Sequence, residues 1–88
     1  MMRRRVVVHG RVQGVLFRDT CHQQATSHRV AGWVRNRSDG AVEAVFEGEP
    51  EAVEAMTRWC RSGPPHAQVE HVEVAEESPT GERGFRVR

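Results

Sequence analysis

Ala31-Gly32-Trp33-Val34-Arg35-Asn36-Arg37-Ser38-Asp39-Gly40-Ala41-Val42-Glu43-Ala44-Val45-Phe46-Glu47-Gly48 reads as two extended runs around a tight turn. Ser38-Asp39-Gly40 is the turn: Asp favours local side-chain-to-backbone bonds, and Gly40 is free to adopt positive φ. After it, Val42, Ala44 and Phe46 face one way and Glu43, Val45 and Glu47 the other, the period of a strand. The two runs therefore form a β-hairpin. On its N-terminal side, residues 17 to 28 follow a helical pattern, with Phe17, Cys21 and Ala25 at i, i+4 and i+8. On its C-terminal side, Pro50 suits a first helical turn, and Glu51 and Glu54 lie near the positive end of the dipole. Val53, Met56 and Cys60 form the apolar stripe of that second helix, and Gly63-Pro64-Pro65 stops it.

Further outward, Val6–Val8 is a β-branched run bounded by Gly10, which predicts a short buried strand. Gln68–Ala75 predicts a fourth strand, and Phe85–Val87 a short fifth after a polar loop from about Glu76 to Gly84. The order is β-α-β-β-α-β plus a last short strand. Two right-handed crossovers onto one antiparallel sheet, with both helices on one face, give an α+β, ferredoxin-like split β-α-β sandwich. The 88 residues suffice for one such domain, 1–88.

Composition narrows the function. All 13 basic residues are Arg, so lysine nucleophiles, Schiff bases and Walker-type lysines are excluded. A formal charge of +1 indicates neither a polybasic nucleic-acid protein nor an acidic tail. No apolar stretch approaches the ~20 residues of a membrane helix, and the run after Met1-Met2-Arg3-Arg4-Arg5 is too short for a signal sequence. The expectation is a cytoplasmic protein, with Arg3-Arg4-Arg5 a solvated terminus leading into strand one. Cys21 and Cys60 allow at most one disulfide; buried free thiols suit a reducing compartment better.

The segment Gly10-Arg11-Val12-Gln13-Gly14-Val15-Leu16-Phe17-Arg18 joins a strand to a helix. Gly10 and Gly14 permit a tight turn whose successive N–H groups converge on an anion. The helix start adds unpaired N–H groups and roughly half a positive charge. Arg18 lies in the first helical turn, where its planar fork can clamp two phosphate oxygens. An alternative partner for Arg18 is Asp19 or Asp39. The G-K-[ST] end of a Walker loop and the G-x-G-x-x-G of a dinucleotide site are both absent. Asn36, at the end of the second strand, carries a carboxamide that both donates and accepts, suited to holding a water beside an oxyanion. Taken alone, an Asn before a Ser-Asp-Gly turn is more often turn chemistry than catalysis.

Taken together, G-R-V-Q-G-V-L-F-R at 10–18 and G-W-V-R-N-R-S-D-G at 32–40 resemble the acylphosphatase family. The likeness continues through 42–48, Gly63-Pro64-Pro65-His66-Ala67 and Gly84-Phe85. It implies a small cytosolic hydrolase, monomeric, that cleaves acyl phosphates to a carboxylate and inorganic phosphate, without metal, cofactor or covalent phosphoenzyme. It implies that Arg18 is the phosphate-binding arginine and Asn36 the water-orienting asparagine. Gln13, Gly14, Val15, Leu16 and Phe17 match the family's backbone cradle for the phosphate. One departure is His28-Arg29, where the family usually has a Gly-containing pair at the end of the first helix; a non-Gly residue in a left-handed cap costs about 1 kcal/mol.

The five histidines, at 9, 22, 28, 66 and 71, match no zinc spacing and are expected to be solvated or structural. Trp33 and Trp59 are expected to pack. Two other classes fit a ferredoxin-like sheet: an RNA-binding module and an anion-binding module without turnover. The first needs aromatics on the open sheet face. Glu43 and Glu47 there are expected to repel phosphates instead. The second needs Arg18 and the loop but not Asn36.

Overall fold

A computed structural model describes residues 1–88. The elements run β1 (Met2–Arg11), α1 (Phe17–Ser27), β2 (Ala31–Asn36), β3 (Val42–Gly48), α2 (Pro50–Cys60), β4 (Gln68–Glu77) and β5 (Phe85–Val87). They form one five-stranded sheet in the order β4-β1-β3-β2-β5. The first four strands pair antiparallel, as the two crossovers require. β5 pairs parallel with β2, Gly32 opposite Phe85 and Val34 opposite Val87, so the sheet is mixed rather than wholly antiparallel. This α+β arrangement is the ferredoxin-like fold that the element order predicts.

Both helices close one face. From the sheet, Val6, Val8, Val34, Val42, Ala44 and Phe46 are buried there. Phe17, Cys21 and Ala25 of α1 and Val53, Met56 and Cys60 of α2 complete that core. Each fully buried Val, Met or Phe is worth about 1.5–3 kcal/mol against exposure, so this stripe-on-stripe packing is the main drive for the layer. Gly32 shows how closely β2 and β3 lie: its φ is 137°, and a Cβ there would stand 1.8 Å from the Val45 carbonyl oxygen. Both thiols are free and buried, and burial raises both, Cys60 to about 12.

The opposite face departs from expectation. Arg3, Arg4 and Arg5 belong to β1 and are not a solvated terminus. Arg3 is 7% exposed; its Nη1 donates to Glu47 at 3.0 Å and its Nε to Glu77 at 2.9 Å. Arg5 donates to Glu77 at 2.7 Å and also to Glu43, which takes Arg35 Nη2 at 2.6 Å on its other oxygen. Glu43 and Glu47 do lie on this face, as their alternation with Val42, Ala44 and Phe46 requires, but both are buried and paired. Their charge is neutralised by arginine, so repulsion of phosphate from this face does not follow. Trp33 is covered by the guanidinium groups of Arg5, Arg35 and Arg88, whose centres lie 5.5, 6.0 and 4.5 Å from its ring. It packs, and it offers no open stacking surface.

Burial alone would raise the Glu47 carboxyl. The N–H groups of Thr80, Gly81 and Glu82, together with Arg3, outweigh burial and hold it at about 2. Oε1 accepts from Arg3 and Thr80, each at 3.0 Å, and Oε2 from Gly81 at 2.8 Å and Glu82 at 3.0 Å. This one side chain thereby organises the loop that returns the chain from β4 to β5.

Candidate active site

β1 delivers the chain to a cavity of about 360 Å³ between the N-terminus of α1 and the end of β2. The register of the sheet explains how Asn36 reaches it. Asn36 pairs with Val42 and stands two residues after Val34, so it lies on the helix side of β2. Arg18 and Asn36, distant in sequence, line this cavity together, along with Gly14, Leu16 and Phe17 of the preceding loop. Gln13 and Val15 belong to the same loop without lining the cavity itself.

The loop conformation follows from its residues. Gly14 has φ of 75°, which glycine adopts without steric cost. Leu16 has φ of 64° and caps α1 with its main chain only, so no side chain satisfies the helix's first N–H groups. None of the turn and loop backbone hydrogen bonds is donated by residues 13–16. A run of uncommitted N–H groups beside a helix N-terminus is an anion-binding concavity. Leu16 holds its left-handed conformation with a side chain 71% exposed at the cavity rim. Val87 of β5 lines the same cavity and is also exposed.

Arg18 makes one hydrogen bond, from Nη1 to the main-chain oxygen of Arg88 at 3.3 Å. Neither aspartate pairs with it. Asp39 caps the Ala41 N–H at 3.0 Å and pairs with Arg37 at 2.8 Å; these bonds lower its carboxyl. Asp19 lies in the first turn of α1, on the cavity wall. Most of the five-donor guanidinium fork of Arg18, which lines the cavity, thus has no protein partner. A guanidinium, uncommitted backbone N–H groups and a carboxamide at one cavity can hold a tetrahedral oxyanion and a water.

Two contributors escape a reading of the sequence. Val87 arrives through the parallel β2–β5 pairing, a long-range event with no local signal. The Gln13 side chain turns away from the cavity and donates from Nε2 to the carbonyls of Arg37 and Ala41, at 2.8 and 2.9 Å. Only its position between buried Val12 and Gly14 hints at a tether. The histidines stand elsewhere: His9 meets Glu73 at 2.6 Å and stacks on His71. No three His, Cys, Asp or Glu side chains form a group suited to a metal ion. No helix is long and apolar enough to cross a membrane.

Fold and site together define a ferredoxin-like domain with a candidate anion-binding cavity at its first strand–helix junction. The acylphosphatase family model matches residues 4–87. An acylphosphatase of Rubrobacter xylanophilus is 61% identical over 85 residues, covering 96% of this chain and 77% of that protein. One from a Roseiflexus species is 57% identical over 88 residues, covering 99% and 95%. The crystal structure of acylphosphatase from Bacillus subtilis superposes with a TM-score of 0.96 at 37% identity, covering 100% of this chain and 99% of that one. The chain belongs to the acylphosphatase family. It is an enzyme, and its chemistry is acyl phosphate hydrolysis.

Proposed function

We propose that the cavity binds the phosphoryl group of an acyl phosphate and that Arg18 and Asn36 carry the reaction. In this reading the backbone N–H groups of Gln13, Gly14, Val15, Leu16 and Phe17 cradle the equatorial phosphoryl oxygens, and the Arg18 fork clamps two of them. Asn36 holds a water in line with the leaving oxygen. The water oxygen bonds to phosphorus while the phosphorus–acyl oxygen bond breaks. The carboxylate leaves with the electron pair, and the water proton passes to phosphate oxygen or solvent. A carboxylate whose conjugate acid has pKa near ~4 departs unprotonated, so the step requires no general acid. The charge of a loose transition state rests on the equatorial oxygens, where the N–H groups and Arg18 follow it. These groups supply the electrostatic stabilisation, and the reading assigns no role to a metal. A phosphate monoester expels an alkoxide and should turn over poorly.

The observation that supports this reading most is the meeting of Arg18, an unsatisfied N–H loop and Asn36 at one cavity. The acyl portion is assigned to the rim formed by exposed Leu16 and Val87, which favours an apolar acyl group. The test is hydrolysis of benzoyl phosphate with EDTA present. Turnover should vanish in folded Arg18→Ala. Asn36→Ala should lose turnover while keeping most of its affinity for inorganic phosphate; equal losses of both would contradict the water-holding role. A folded wild type without turnover, whose melting temperature phosphate still raises, would make the site an anion-binding module instead.

A further inference from the structure

The phosphate loop and the Asn36 hairpin come from different parts of the chain, and their separation must hold to a fraction of an ångström for in-line attack. Residues 12–16 make few hydrogen bonds with the rest of the molecule. Outside helices and strands, the Leu16 oxygen accepts from Thr20, which belongs to the same junction. The other two bonds both come from the Gln13 carboxamide. Its acceptors are the carbonyl of Arg37, directly after Asn36, and the carbonyl of Ala41, which also takes the Arg37 N–H at 2.8 Å and closes the hairpin. One NH2 group therefore bridges both sides of the hairpin base and ties them to the loop.

We infer that the Gln13 side chain is a positioning residue, setting the distance between the phosphate cradle and the water held by Asn36. The inference rests on the proposed acyl phosphate reaction and adds a role for a side chain whose main chain alone was assigned to the cradle. It specifies a donor, because both partners are carbonyl oxygens. The isosteric carboxylate of a Gln13→Glu variant would present negative charge to both and push the hairpin away. Alanine would only release it.

The experiment measures kcat and KM for benzoyl phosphate, the inhibition constant of inorganic phosphate, and melting temperature, in wild type, Gln13→Ala, Gln13→Glu and Gln13→Met. The expected order of kcat is Gln, then Ala and Met, then Glu. The Ala variant should lose about tenfold and the Glu variant more, with phosphate inhibition changing less than threefold. A space-filling role predicts another order, with Glu and Met near wild type and Ala lowest, and that order would overturn the inference. So would a parallel loss of kcat and phosphate affinity. If Gln13→Glu does not fold, the near-isosteric Met variant decides: wild-type kcat overturns the role, and a loss matching Ala supports it. Absence of turnover in folded wild type would overturn the reaction itself, an outcome distinct from an active wild type with indifferent variants.

Discussion

Replacing Glu47 by Gln tests whether one buried carboxylate holds the β4–β5 return in place. The substitution preserves shape and removes one acceptor. Whichever way the amide lies, its NH2 faces two donors: either Arg3 and Thr80 or Gly81 and Glu82. Bonds to a charged acceptor are worth about 1.5–3 kcal/mol each, and an unsatisfied buried donor costs about 1–3 kcal/mol, so a loss of at least about 3 kcal/mol is expected. Linkage gives a similar size by another route. A carboxyl lowered from 4.5 to about 2 contributes about 3 kcal/mol at neutral pH.

The sign is fixed by the direction of that shift. The unfolded carboxyl binds its proton more tightly than the folded one. The stabilisation is therefore complete above the ordinary pKa of 4.5 and disappears as pH falls through about 2. Urea denaturation of wild type and Glu47→Gln at pH 7 and pH 3 measures it. The gap should be about 3 kcal/mol at pH 7 and roughly half that at pH 3, because Gln has no proton to gain. Glu43 and Glu77 are lowered as well, by their arginines against burial; they titrate in both proteins, so the difference reads Glu47 together with its coupling to Glu77 through Arg3. A gap below about 1 kcal/mol at pH 7, or one unchanged at pH 3, would refute the assignment.

Arg18→Lys keeps the charge and loses the planar fork; kcat/KM for benzoyl phosphate should fall at least about 100-fold, and a loss under tenfold would show that a point charge suffices. Arg29 has φ of 58° just beyond α1. Arg29→Gly should therefore raise stability by about 0.5–1 kcal/mol, read as a Tm increase of a few degrees. Leu16→Ala should lower kcat/KM for benzoyl phosphate about three- to tenfold more than for acetyl phosphate. An equal fall for both substrates would remove Leu16 from acyl recognition.

Local pattern carried much of this architecture. β2 and α2 begin and end where alternation, Pro50 and Gly63 place them, and Phe85–Val87 emerges as β5. β1 is longer than Val6–Val8 because Arg3 and Arg5 read as solvated in isolation. The burial of Arg3 and the pairing of Arg5 depend on Glu43, Glu47 and Glu77, which only the assembled sheet brings near. β4 extends to Glu77 for the same reason. At His28-Arg29, where the sequence predicts strain from a left-handed cap without glycine, the chain does turn left-handed at Arg29. Arg18 and Asn36 were legible because their motifs are local. Val87 and the Gln13 amide were not, since each acquires its place through a partner far along the chain.

The two faces of the sheet meet at Arg88. Its N–H donates to the Val34 carbonyl at 2.8 Å, extending the β2–β5 ladder beyond Val87. Its guanidinium lies over Trp33 on the ion-paired face, and its main-chain oxygen takes the one hydrogen bond that Arg18 makes. The Glu47 loop leads into this strand, so the buried network adjoins the chain whose end meets Arg18. That bond, at 3.3 Å, is long, and it engages a single Nη1 of the fork. A contact of this kind takes one of the five donors and, in the proposed reaction, leaves the other N–H groups for phosphoryl oxygens. Gln13 does the corresponding work for the hairpin that carries Asn36. In the proposed reaction, Arg18 and Asn36 are thus held from behind by groups outside the phosphate site, and the remaining donors stay free for substrate. That division suits a reaction whose leaving group needs no acid and whose barrier falls mainly through position and fixed charge.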